Sequence, residues 1–277
     1  MAHNEAIGNK MMKKVLTIAG SDCSGGAGIQ ADLKTMTMHK VFGMSVITAL
    51  TAQNTMGVTA IHDVPIEMIS AQLDAVFTDI FPDAVKIGMV SNIDTIRTIT
   101  QKLKQYQAKN IVLDPVMVST SGSKLIADEA IEVLTKELMP LALLITPNVF
   151  EAEILSGMKI HTLDEMKKAG QSIRTKLGVD VLVKGGHLDD SKTDILFTEN
   201  SILCFEGENI SNPNTHGTGC TLSSAIASEL AIGKSLEDAV RSAKNYVADA
   251  IRDGLDIGKG RGPLNYMYAL CQDRFQN

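Results

Sequence analysis

The feature that most restricts the fold of this chain is an alternation. Short β-branched or apolar runs recur between longer stretches with helical spacing. Residues 15–19 read as a buried strand, a glycine-rich turn follows, and a helix is expected over 29–40. Strand-like runs return at 45–50, 85–90, 111–118, 143–146 and 181–184. Between them, residues 66–80 place Ile69, Leu73, Val76, Phe77 and Ile80 on one helical face. Further helices are expected over 93–106, 128–138 and 163–177. Strands that are apolar throughout need cover on both faces, and intervening helices supply it. The expectation is an α/β fold: three layers, α/β/α, around a mostly parallel sheet. Residues 195–197 and 202–205, split by the polar turn 198–201, read instead as an antiparallel hairpin. Two helices finish the pattern, 220–232 and 236–253, the second opened by a capping box of Ser235 and Asp238.

Hydrophobic residues form 44% of the 277-residue chain but aromatics only 4%, with no tryptophan, so the core must be aliphatic and methionine-filled. The net charge of −6 and the lack of a long basic run argue against a nucleic-acid partner. Cys23, Cys204, Cys220 and Cys271 have neither zinc-ligand nor framework spacing, which favours a reducing compartment. No run reaches the ~18 apolar residues of a membrane span, and the polar start lacks the apolar centre of a signal peptide. A cytoplasmic protein is expected, with a disordered extension over 1–12 and one domain over 13–277.

In open parallel sheets, ligands bind beyond the C-terminal ends of the strands, and here those ends carry the unusual residues. The segment from Asn214 to Thr221 holds Gly217-Thr218-Gly219-Cys220 and opens a helix. Glycines admit a ligand to the backbone, and free N–H groups with a positive dipole end attract an anion. A thiol there is expected to have a lowered pKa. The same residues also suit an ordinary helix entry with a buried cysteine. The turn from Gly20 to Gly28 follows the first strand, yet it is neither Gly-x-Gly-x-x-Gly nor a phosphate loop ending in Gly-Lys-Ser/Thr. With Asp32 on the helical face of Gly28, it is suited to closing over a polar substrate. Asp114 before Pro115 fits either a Mg²⁺ ligand or a turn residue. Asn148 and Glu151 fit either a metal neighbourhood or a helix cap. Lys184 fits either a phosphate contact or a solvated lysine. His187 and His216 sit in glycine-rich segments and are assigned no catalytic role.

Taken together, these motifs resemble a known family. Gly20-Ser21-Asp22, Ser24 to Lys34, Ala52-Gln53-Asn54-Thr55, Lys86-Ile87-Gly88-Met89, Asp114-Pro115-Val116-Met117, Thr146-Pro147-Asn148, Glu151-Ala152, Lys184-Gly185-Gly186-His187 and Gly217 to Thr221 are similar to segments of the hydroxymethylpyrimidine/phosphomethylpyrimidine kinases of thiamine synthesis, in the ribokinase-like superfamily. The similarity runs from about residue 15 to 263. It implies a three-layer ribokinase-like fold, ATP with Mg²⁺, a homodimer, and two successive phosphorylations, first of a hydroxymethyl group and then of the monophosphate. It further implies that Gln53 hydrogen-bonds the aminopyrimidine, offering a donor and an acceptor to the ring, in a pocket lined by Gly20, Asp32, Met89 and Val116. Asn148, Lys184 and Gly186 are implied for ATP, and Asp114 and Glu151 for the metal. Gly217, Thr218 and Gly219 would form an anion hole, with Cys220 as the base or as a group that positions the hydroxyl. A pyridoxal or pyridoxine kinase is the nearest alternative, disfavoured by Gln53-Asn54-Thr55. A nicotinamide oxidoreductase lacks its fingerprint, and a binding module has little use for Asp114, Glu151, Lys184 and Cys220 together.

Overall fold

Alternate residues of the central strands point into two different cores, as a sheet covered on both faces requires. A computed structural model describes residues 12–117, 126–186 and 192–271. In β1 (Lys14–Asp22), Leu16 and Ile18 enter one core and Val15 the other. The strand pairs in parallel with β2 (Phe42–Asn54) on one side and with β4 (Ala84–Ile87) on the other. Next in order come β5 (Ile111–Leu113), β6 (Leu144–Ile145) and β7 (Asp180–Val183), all parallel. The sheet ends in the antiparallel hairpin of β8 (Asp194–Phe197) and β9 (Ile202–Phe205). A strand absent from the expectation, β3 (Gly57–Asp63), runs antiparallel along the other edge. Among the described residues, the nine strands lie in the order β3-β2-β1-β4-β5-β6-β7-β8-β9.

One face carries α1 (Gly28–Met38), α7 (Thr218–Ala231) and α8 (Leu236–Asp253), which bury Met36, Leu222, Ile226, Val240 and Val247 against Val15, Val112, Leu144 and Leu182. The other carries α2 (Ile66–Asp79), α3 (Ile93–Gln105), α4 (Asp128–Val133), α5 (Val149–Ser156) and α6 (Leu163–Leu177). The last element among the described residues is the short α9 (Tyr268–Cys271). The expected helix over 128–138 is α4 followed by one π-helical stretch, Leu134–Leu138. The expected strands 85–90 and 111–118 stop at Ile87 and Leu113, where the backbone turns toward the cleft. Residue 118 lies outside the described residues, as do 1–11 of the expected extension. Ser235 Oγ caps α8 by accepting from Asp238 N, but the Asp238 carboxylate takes the Ser235 hydroxyl and completes no reciprocal box. Among the described residues, no helix is long and apolar enough to cross a membrane.

The sheet order reverses at β1, because β2 leaves it one way and β4 the other. A crevice must open above the C-terminal ends of these strands. The site lies there.

Candidate active site

Asp22 ends β1, and its carboxylate folds the glycine-rich turn around itself. Oδ1 accepts from Ser24 N at 2.9 Å and Ser24 Oγ at 2.7 Å; Oδ2 accepts from Gly26 N at 3.1 Å, Ala27 N at 2.8 Å and His216 Nε2 at 3.0 Å. Burial alone would raise this acid, but the hydrogen bonds from His216 and Ser24 outweigh it and hold the pKa down at about 2. The Gln53 amide approaches the same His216 nitrogen at 3.2 Å. The Cys23 thiol brackets the Gln53 backbone, donating to its carbonyl at 3.2 Å and accepting from its N–H at 3.4 Å. Met89 lies against Gly20, where a Cβ would meet Met89 Cε at 2.7 Å. Gly20, Gln53, Met89 and Val116 thus all line one cavity of about 1040 Å³.

Asp32 does not line it. Its carboxylate is fully buried beneath the cleft on the α1 and α7 side of the sheet, accepting from Thr17 Oγ1 at 2.6 Å, Ser224 Oγ at 2.6 Å and Lys86 Nζ at 2.8 and 2.9 Å. Gly28 lines the cavity, but Asp32, one turn further along α1, points into the protein, which corrects its expected place in the acceptor pocket. Lys86 is fully buried in β4. Burial would lower its ammonium, but the negative groups around it, Asp32 foremost, keep it above its ordinary value.

At the other end of the cavity, Asp114 follows β5 and Lys184 follows β7, and their side chains pair at 2.7 Å. Thr146 Oγ1 also donates to Asp114 Oδ1, at 3.1 Å. Asn148 and Glu151 form a complete capping box on α5, Asn148 Oδ1 accepting from Glu151 N at 2.9 Å and Glu151 Oε2 from Asn148 N at 2.8 Å. Here the capping reading of this pair holds, and Glu151 still faces the cavity. Burial pushes its carboxyl up to about 7; Lys184 opposes the rise and Asp114 adds to it. Gly186 lines the same end. His187 falls outside the described residues.

The start of α7 closes the space between the two ends. Gly217 takes φ +84°, and a Cβ there would stand 1.9 Å from the Gly26 carbonyl oxygen, so only glycine fits. A Cβ on Gly219 would lie 3.3 Å from both Asp114 Oδ2 and Lys184 Nζ. The first-turn amides of α7, a carboxylate and an ammonium therefore meet at one point, a geometry suited to phosphoryl oxygens. Cys220 also lines the cavity, but its thiol is not lowered as the helix start led us to expect. Burial pushes it up, with Asp32 and Asp114 adding, against opposing effects of Lys86 and the Gly28 amide. Here desolvation exceeds the effects that would lower it.

His216 and Tyr266 are residues that sequence reasoning left without a role. His216 joins Asp22 to Gln53, and Tyr266 Oη donates to Gly26 O at 2.6 Å. A histidine inside Thr-His-Gly-Thr-Gly was visible in the sequence; its partners, 163 and 194 residues away, were not.

A β1–β4 switch-point cleft, with the start of α7 and an Asp–Lys pair on one cavity, suits an ATP-dependent kinase of the ribokinase-like fold. Comparison with known proteins makes this specific: a phosphomethylpyrimidine kinase family profile matches residues 22–265, and the chain belongs to that family. It is 49% identical over 262 residues to the hydroxymethylpyrimidine/phosphomethylpyrimidine kinase of Rhizobium meliloti, covering 93% of this chain and 98% of that protein. It is 49% identical over 256 residues, 92% of its length, to the thiamine biosynthesis bifunctional protein ThiED of Geobacter sulfurreducens, of which it spans about half, 52%. Among solved structures, a phosphomethylpyrimidine kinase of Clostridium difficile superposes with a TM-score of 0.78 at 52% identity, over 86% of this chain and 99% of that one. An ADP complex of Bacillus subtilis pyridoxal kinase superposes with a TM-score of 0.87 at 37% identity, over 94% and 99%.

Proposed function

We propose that this protein phosphorylates 4-amino-5-hydroxymethyl-2-methylpyrimidine to its monophosphate and then to the diphosphate, for thiamine biosynthesis. The observation that carries the reading is the juxtaposition, in one cavity, of the Gln53 amide with the Asp114–Lys184 pair and the start of α7. In this reading Gln53, whose Oε1 accepts from Thr51 Oγ1 at 3.2 Å, pairs with the amine and ring nitrogen of the pyrimidine. Gly20, Met89 and Val116 pack against the ring. Asn148, Lys184 and Gly186 hold ATP, and Lys184 neutralises the oxygens of the group in transfer. The amides of Gly217, Thr218 and Gly219 receive the charge that develops there.

Mg²⁺ fits the donors present. Among the described residues, no three acidic, histidine or cysteine side chains gather as a metal cage. Two carboxylates, Asp114 and Glu151, face the cavity, and Mg²⁺ is commonly held by one or two carboxylates with substrate phosphates and water. When bound, it would neutralise phosphate charge. Cys220 faces the alcohol whose proton must leave in the first step. Its raised pKa favours positioning the hydroxyl in the resting enzyme over standing as a thiolate.

The test is ADP release with ATP and Mg²⁺, offering hydroxymethylpyrimidine, its monophosphate and pyridoxal in turn. Turnover of both pyrimidines is expected, and neither being used would reject the proposal. Gln53→Ala should raise KM for the pyrimidines, and Cys220→Ala should lower kcat for the alcohol. The pyridoxal kinase structures at 35–37% identity favour a second reading, which preferential turnover of pyridoxal would establish. We also assign a homodimer, supported by apolar Leu50, Met56 and Ile61 exposed on β2, β3 and their connecting turn; a sedimentation mass of one chain at micromolar concentration would reject it. The net charge of −6 supports a protein without a nucleic-acid partner, and unpaired cysteine spacing supports the cytoplasm.

A further inference from the structure

The two reactions proposed above differ in what the acceptor brings. The first acceptor is a neutral alcohol; the second is a phosphate monoester with a charge of about −1.5 to −2 at neutral pH. A site that serves both needs a cation at the acceptor end that is not already committed to another group.

Among the described residues, the cationic side chains that line the cavity are Lys184, Lys192, Lys244 and Arg261. Lys184 is paired with Asp114 at 2.7 Å and Lys244 with Asp194 at 2.6 Å, while Lys192 donates to the Gly186 carbonyl at 2.9 Å. Arg261 has neither an ion pair nor a hydrogen bond among the described residues.

Its place on the rim is fixed from both sides. The preceding residue, Gly260, donates its N–H to Thr55 Oγ1 at 3.1 Å, two positions beyond Gln53. The following residue, Gly262, accepts from His216 N at 3.1 Å and donates to Asn214 Oδ1 at 2.8 Å. Side chains cannot replace the glycines that allow this. A Cβ on Gly260 would stand 2.1 Å from the Thr55 carbonyl oxygen, and one on Gly262 2.7 Å from Asn214 Oδ1. The loop is therefore strapped to the two segments that carry Gln53 and His216, the acceptor end of the cavity.

We propose that Arg261 is the specificity residue for the second phosphorylation: its guanidinium binds the phosphate of the monophosphate acceptor. The inference rests on the two-step kinase reading. In that step an oxygen of the acceptor phosphate bonds to the γ-phosphorus of ATP while the bond to the β,γ-bridging oxygen breaks. ADP leaves with that electron pair, and the dianionic acceptor has no proton to give up. Two anions must approach, so each needs its own counter-charge. Lys184 faces the donor, and Arg261 offers the acceptor a planar fork matched to two phosphate oxygens.

The experiment measures kcat/KM separately for the alcohol and for the monophosphate and follows their ratio. Arg261→Ala and Arg261→Gln should lower the ratio of monophosphate to alcohol by about 10- to 100-fold, chiefly through KM for the monophosphate. Arg261→Lys should restore part of it. Lys259→Ala, on the same loop but with a side chain that does not line the cavity, should leave the ratio in place. An unchanged ratio in Arg261→Ala, equal loss on both acceptors, or an equal shift in Lys259→Ala would overturn the proposal. Turnover of the alcohol reports a folded enzyme in every variant. A wild-type protein that used neither pyrimidine would sink the kinase reading instead, a separate and recognisable result.

Discussion

Breaking the pair between Asp32 and Lys86 should cost more than any other single polar deletion in this protein. Both side chains are fully buried, and removing one partner of such a pair leaves an uncompensated charge, worth about 3–5 kcal/mol. The structure ranks the two losses. After Lys86→Met, the carboxylate keeps hydroxyl donors from Thr17 and Ser224, both at 2.6 Å. After Asp32→Leu, the ammonium has no other acceptor among the described residues, so this variant belongs at the upper end. At about 2 °C per kcal/mol for a chain of this size, the singles should melt about 6–10 °C below wild type. The double variant removes both charges and leaves only two hydroxyls to repartner, at about 1 kcal/mol each. It should therefore lose about 2–3 kcal/mol, far less than the roughly 8 kcal/mol of the summed singles. Urea unfolding of the four proteins closes the cycle. Additive losses, or a double variant weaker than either single, would refute the reasoning that the charges exist for each other.

Other predictions are narrower. Gly217→Ala forces a Cβ toward the Gly26 carbonyl at φ +84°, so ADP release should fall by more than tenfold with a lower melting temperature; near-normal kinetics would show that the turn relaxes. Glu151, raised to about 7 from 4.5, is protonated in the folded protein where the unfolded chain is not. Its contribution is fully present below about pH 4.5 and is lost as pH rises through 7. The melting temperature of wild type minus that of Glu151→Gln should fall over that window, and a flat difference would contradict the raised acid. Iodoacetamide at pH 7 should label exposed Cys23 before Cys220, whose thiol burial pushes up, as peptide mass spectrometry would read; the reverse order would revive an activated cysteine.

Most of the fold was legible because strand and helix periods are local. The parallel strands, the hairpin and the helix from 163 to 177 follow from spacing alone. β3 was missed because it is an exposed edge strand, with no residue between Gly57 and Asp63 buried to create an apolar pattern. The cleft-facing residues were legible as oddities at strand ends. Asp32 was misplaced for a different reason: its helix fixes which way it points, but Lys86, 54 residues later, decides what it meets. A lysine inside the otherwise apolar run of β4 was the available signal. Cys220 shows a contest between two forces. Its place at a helix start is written in the sequence, while its enclosure depends on Lys86, Asp32 and Asp114 arriving from three other segments.

The strap from Thr55 and Gly26 to the segment that follows α8 also orders events during synthesis. When a ribosome has released residues through α8, every strand of the sheet is available, and β1 already has both neighbours. Yet Tyr266, which holds the Gly26 carbonyl, and Gly262, which receives His216, have still to emerge. The glycine-rich turn after β1 is thus completed after the sheet that supports it. A nascent chain acquires its architecture first and its chemistry last, and a shortened product ending at Asp253 would keep the strands but lose the contacts that set the turn.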